Sequence, residues 1–151
     1  MTGATQDDPA YTISTTVPLG HGDAVAAVRT ALADQGFGVL TEIDLAATMR
    51  AKLGKEIPRQ VILGACRPAL AYEALQADPS VAALLPCNVV VREVGGGTSI
   101  VEVFDPEAML SLSGSPAIAG VAADAKQRLQ AVVEVLRSTQ GSMSLDQDQE
   151  S

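Results

Sequence analysis

Three consecutive glycines, Gly95-Gly96-Gly97, separate two runs rich in β-branched residues, Asn88 to Val94 and Thr98 to Phe104. Glycine reaches positive φ without steric cost, so a short glycine loop between two such runs predicts a tight hairpin. A hairpin pairs its strands antiparallel, which commits at least part of any sheet in this chain to antiparallel order. A glycine loop can also cradle a phosphate, but that geometry needs the loop to open onto a helix N-terminus. This loop joins two strands, so it reads as a turn.

Around the hairpin the hydrophobic period switches repeatedly between two and about 3.6. Tyr11 to Val17 alternates Tyr11, Ile13, Thr15 and Val17 with polar residues, the pattern of a half-buried strand that Pro18 and Gly20 stop. From about Asp23, Val25, Val28 and Leu32 fall on one helical stripe, ended by Gly36. Phe37 to Ile43 predicts a second strand, with Phe37, Val39, Thr41 and Ile43 on one side and Leu40 and Glu42 on the other. Asp44 then caps a short helix that Gly54 ends. Gln60 to Ala65 is a short apolar run suited to a buried strand, and Pro68 suits the first position of a helix over Ala69 to Ala77. After Asp78-Pro79, Val81 to Leu85 forms a compact apolar turn before the hairpin. Ser115-Pro116 opens the longest helix, whose stripe is Ile118, Val121, Ala125, Leu129, Val132 and Leu136. That stripe holds no titratable group, so it predicts core or a dimer face. The order β-α-β-α-β-α-β-β-α predicts an α+β fold, a single compact domain with a partly antiparallel sheet packed by helices.

A chain of 151 residues is long enough to bury one sizeable core. The small polar residues 1–9 and the acidic segment 138–151 are expected to be disordered, leaving residues 10–137 as the folded domain. The formal net charge of −8 opposes binding to a phosphate backbone. Five of the acidic residues, Asp7, Asp8, Asp146, Asp148 and Glu150, lie in the end segments. There is no Trp, with two Phe and two Tyr, so stacking platforms for single-stranded nucleic acid are missing. Nucleic acid is therefore not an expected partner. Neither a signal segment nor an apolar run long enough to span a bilayer is present, so no membrane partner is expected and a cytoplasmic setting is expected. Two cysteines fit that reducing setting as free thiols.

Those cysteines, Cys66 in Gly64-Ala65-Cys66-Arg67-Pro68 and Cys87 in Leu85-Pro86-Cys87-Asn88, each stand where a predicted strand meets a proline-marked turn. Antiparallel strands would bring the end of the first and the start of the second to one edge of the sheet. Parallel strands of about six residues would hold them roughly 20 Å apart, too far for a disulfide. The pair can bind a soft metal or heme-like ligand, cycle between dithiol and disulfide, carry a sulfur intermediate, or serve as small apolar filler. It is not a zinc signature, which needs four ligands in characteristic spacing, nor a C-x-x-C redox motif.

The blocks Phe37-Gly38-Val39-Leu40-Thr41-Glu42-Ile43-Asp44, Ile62-Leu63-Gly64-Ala65-Cys66-Arg67-Pro68-Ala69-Leu70-Ala71-Tyr72, Leu84-Leu85-Pro86-Cys87-Asn88-Val89-Val90-Val91 and Asp105-Pro106-Glu107-Ala108-Met109 occur in that order. Together they closely resemble the DUF302 family of small bacterial and archaeal proteins, over about Tyr11 to Leu136. The resemblance implies a compact α+β domain that self-associates as a homodimer. It names no activity.

The expected function is a small-ligand or soft-metal binding module with a pocket at the Cys66, Cys87 and Glu42 edge. Cys66 and Cys87 are the metal-ligand candidates. Glu42 is an acid, base or ligand candidate if its strand face is buried, against the alternative of a solvated salt bridge. Arg67 can lower the Cys66 thiol pKa and favour the thiolate, or be a plain surface charge. Asn88 is a ligand candidate that strand alternation turns to the face opposite Cys87, against the alternative of capping local backbone. His21, the one histidine, lacks a neighbouring nucleophile and is expected in a solvent-facing loop. A thiol redox enzyme or sensor and a purely structural homodimer are the alternatives. No catalytic residue or cofactor is identified by these residues.

Overall fold

The two glycine-flanked strands do form the hairpin, and the rest of the sheet is built outward from it. In the computed structural model, which describes the backbone of residues 9–150 and side chains as far as 138, Gly96 and Gly97 hold φ of 62° and 70°. Positive φ at both central residues is the primed turn whose twist matches paired strands. The hairpin strands are β4 (Cys87–Gly95) and β5 (Thr98–Phe104). β1 (Thr12–Val17) pairs with β5, and β3 (Gln60–Cys66) with β4. β2 (Gly38–Asp44) closes the far edge, giving the five-stranded order β1-β5-β4-β3-β2. Every neighbouring pair is antiparallel, so the sheet expected to be partly antiparallel is wholly so. The fold class is α+β.

Helices connect the strands at the positions the periodicity predicts. α1 is His21–Asp34, α2 Leu45–Leu53, α3 Pro68–Ala77, α4 the single turn Leu110–Ser113 and α5 Pro116–Glu150. Asp44 caps α2 by accepting the Ala47 N–H at 2.9 Å, and Gly54 ends it at φ 66°. Pro68 opens α3 and Pro116 opens α5. The expected N-terminal segment lies outside the described residues apart from Pro9. The expected acidic tail from Ser138 falls on the last turns of α5, and beyond Ser138 its side chains lie outside those described.

One face of the sheet carries Val17, Leu63, Ala65, Val89, Val91, Val101 and Val103, sealed under α1 and α5 by Val28, Leu32, Leu129, Val132 and Leu136. At one end of the sheet a second apolar cluster, Ala74, Val81, Met109 and Ile118, gathers under α3, the 3-10 turns Pro79–Leu84 and Pro106–Met109, and the start of α5. Asp105 fixes the second of these turns. Its carboxylate accepts the Glu107 N–H at 2.9 Å and meets Lys126 of α5 at 3.1 Å. The fully buried Ser99 donates to the Leu19 carbonyl at 2.9 Å, so the one buried polar residue among those described is satisfied and ties the β1–α1 loop to the hairpin.

β2 departs from simple alternation. Val39 is opposite Ala65 but Thr41 is opposite Gly64, which leaves Leu40 as an extra, bulged residue. The bulge divides the single face expected for Phe37, Val39, Thr41 and Ile43. Phe37 and Val39 join the core under the helices, whereas Thr41 and Ile43, partners of Gly64 and Ile62, turn to the other face.

Candidate functional site

Ala65, the penultimate residue of β3, is the direct antiparallel partner of Cys87, the first residue of β4. Cys66 follows Ala65 and pairs with Gly38 on β2. The antiparallel arrangement therefore brings the two cysteines, 21 positions apart in the chain, to the same end of the sheet. Both line a cavity of about 40 Å³, with Ala65, Leu70, Ala74 and Ala122 among its apolar walls. Gly64 makes the approach possible. A Cβ there would stand 2.8 Å from Pro86 Cγ and collide with Thr41, so only glycine lets the residue preceding Cys87 lie over β3.

The thiols are free and unequal. Cys87 is 8% exposed, while Cys66 is half-buried. Burial pushes the Cys66 thiol up from its ordinary range. It pushes Cys87 further, to about 11, and the neighbouring Cys66 adds to that rise because two adjacent thiolates repel. Of the two readings of Arg67, lowering of the Cys66 pKa is not what acts on this thiol: desolvation sets the direction.

Arg67 nevertheless belongs to the cavity. It is the N-cap residue of α3, it lines the same space, and its Nε is buried without a hydrogen-bond partner. Its side chain lies against Gly36, where an added Cβ would stand 2.9 Å from Nε.

The other two candidates lie elsewhere. Glu42 is opposite Leu63, further along β2 than the Cys66 row, and forms an ion pair with Arg29 of α1. Its side chain is 49% exposed and does not line the cavity. The Leu40 bulge sets it on the helix-bearing side of the sheet, where Arg29 reaches it, so the expected site contracts to Cys66, Cys87 and Arg67. Asn88 pairs with Gly64 and, as alternation predicts, turns away from the Cys87 side. There it lines a groove with Tyr11, Thr12, Val90 and Glu102 on the other face of the sheet. His21 begins α1 instead of lying in a loop, because Gly20 takes the N-cap position, and its Nε2 is buried and unpartnered.

Met109, which the sequence reading did not single out, also lines the cavity and is 4% exposed. It arrives from the 3-10 turn Pro106–Met109, 22 residues beyond Cys87, and no local spacing links it to either cysteine. The signal that places it is the Asp105-Pro106 cap that starts the turn. Among the described residues no three His, Cys, Asp or Glu side chains gather as a metal site. Nor is any helix there long and apolar enough to cross a membrane.

A crystal structure of an uncharacterized conserved DUF302 protein from Bacillus stearothermophilus has a similar fold, with a TM-score of 0.76 and 27% sequence identity. The similarity covers 83% of this chain and 98% of that one. No curated protein matches the sequence significantly. The sequence matches the family described as "Domain of unknown function DUF302" over residues 13–136, and with the blocks around both cysteines inside that match, the chain belongs to the DUF302 family.

Proposed function

We propose that the protein is a binding module for a small ligand, held by the Cys66 and Cys87 thiols in the cavity at the end of the sheet. One observation carries the reading: two cysteines distant in sequence line the same small, apolar cavity. Filler cysteines have no need to converge. The enclosed part is small, about 40 Å³ against the roughly 150 Å³ of a sealed cavity that admits a benzene ring. An ion or a molecule of a few atoms fits this space. Native mass spectrometry of freshly purified, reduced protein tests the reading. A bound mass that is lost in both Cys66→Ala and Cys87→Ala is the expected result, and retention in both variants would refute it.

The redox alternative gains less support. Attack on a disulfide needs a thiolate and access, and burial holds both thiols protonated at neutral pH.

Self-association is favoured by a different observation. The sheet face away from α1 and α5 carries Ile43, Ile62, Val90 and Ile100 around the Arg92–Glu102 ion pair. A two-fold axis over that pair would set Arg92 of each copy against Glu102 of the other, the self-complementarity that a symmetric dimer requires. Sedimentation velocity at micromolar concentration should give a dimer for the wild type and a folded monomer for Val90→Asp. A monomeric wild type would remove this reading.

A further inference from the structure

We propose that the cavity is a site for one Cu(I) ion, bound by the thiolates of Cys66 and Cys87 and the thioether of Met109, with the Arg67 guanidinium balancing the charge. The proposal rests on the binding-module reading and names its ligand.

The donor set selects the metal. Three sulfur-bearing residues reach one small cavity from three separate elements, the end of β3, the start of β4 and the turn before α4. Thiolate and thioether sulfurs are soft donors that favour Cu(I) among biological cations. Calcium and magnesium need several oxygen ligands, and the cavity is walled chiefly by hydrocarbon. Structural zinc needs four ligands, and no set of even three His, Cys, Asp and Glu side chains is gathered among the described residues. Methionine is the donor that makes a three-sulfur set here.

Charge and space agree with this choice. An apolar cavity tolerates little net charge. Two thiolates and one Cu(I) leave a single negative charge, which the guanidinium of Arg67 cancels. The buried, unpartnered Nε of Arg67 is unusual, since buried polar atoms are nearly always bonded. The Arg67 side chain lines the same cavity as the three sulfur-bearing residues, so a cation is on hand for a sulfur-bound anion. Binding transfers no electrons: the ion replaces the proton of each thiol, and two protons leave to solvent for each Cu(I) bound. The affinity therefore climbs by about 100-fold per pH unit while both thiols are protonated.

The test uses the reduced full-length chain without oxygen, given Cu(I) as its bathocuproine disulfonate complex. The wild type should withdraw one Cu(I) per chain from the chelator, and copper X-ray absorption should show three sulfur neighbours and no nitrogen. Met109→Leu, which conserves volume, should bind more weakly by about tenfold or more, since even outer-shell changes cost that much in metal sites, and should show two sulfur neighbours. Cys66→Ser and Cys87→Ser should withdraw none. Failure of the wild type to compete, or nitrogen in its absorption spectrum, would overturn the copper assignment without need of any variant. Unchanged affinity and spectrum in Met109→Leu would overturn the three-sulfur site. If copper is refused while another cysteine-dependent mass is bound, the copper assignment alone fails. If no cysteine-dependent ligand is found, both readings fail.

Discussion

Cys87 is the direct cross-strand partner of Ala65, and Cys66 is the next residue along β3, so the two thiol-bearing residues occupy neighbouring rows at one end of the sheet. Their surroundings differ, because Cys87 is buried and Cys66 is half-buried.

That difference orders their reactivity. Iodoacetamide at neutral pH should modify Cys66 first and slowly, and Cys87 only when the chain opens, with both rates rising as pH increases. Peptide mass spectrometry over a time course reads the order. Equal rates at the two sites would contradict the burial.

The same burial makes stability depend on alkaline pH. The Cys87 pKa rises from 9.0 in the open chain to about 11 in the fold. Its contribution is therefore fully present below pH 9 and is lost as pH rises through about 11, where the unfolded state has already released the proton. Linkage puts the loss at about 3 kcal/mol. Urea melts between pH 7 and 11 should show the decline, and Cys87→Ala should flatten most of it. Lys126, raised above 10.5 by its bonds to Glu107 and Asp105, acts in the same direction at higher pH and remains in that variant.

Gly64→Ala forces a methyl group against Pro86 and Thr41. Overpacking of this kind costs about 1–3 kcal/mol, so the urea midpoint should fall. Cys87 should also become more reactive toward iodoacetamide, since Pro86 precedes it and must move. An unchanged midpoint would show that the contact relaxes freely.

Asp105→Ala removes the cap of the turn that delivers Met109 and one of the two carboxylates that meet Lys126. The expected loss is about 1–2 kcal/mol in thermal or urea unfolding. Asp105→Asn should recover much of it, because an amide oxygen can still accept the Glu107 N–H.

Most of the fold was legible because its signals are local. The Gly95-Gly96-Gly97 turn, the Asp44 cap, Pro68 at the start of α3 and the Ile118 to Leu136 stripe each depend on a few adjacent residues. The pairing of β3 with β4 is not local, and the sequence alone left the meeting of the thiols conditional on strand direction. The Leu40 bulge was not legible, because a strand with one extra residue keeps its composition and loses only its register. Glu42 was misplaced for that reason: alternation set it apart from Val39, whereas the bulge returns it to the same side of the sheet, next to Arg29. Met109 depends on a tertiary contact to which no sequence spacing points.

The cavity also marks a boundary within the packing. Ala65 belongs to the cluster beneath α1 and α5, whereas Ala74 and Met109 belong to the cluster at the end of the sheet, and all three face the same space. An occupant held from both sides is a rivet between two packing units. Such an occupant would couple the opening of the smaller unit to that of the sheet. Occupancy would thus be written in the cooperativity of unfolding, as a sharper transition than that of the empty chain.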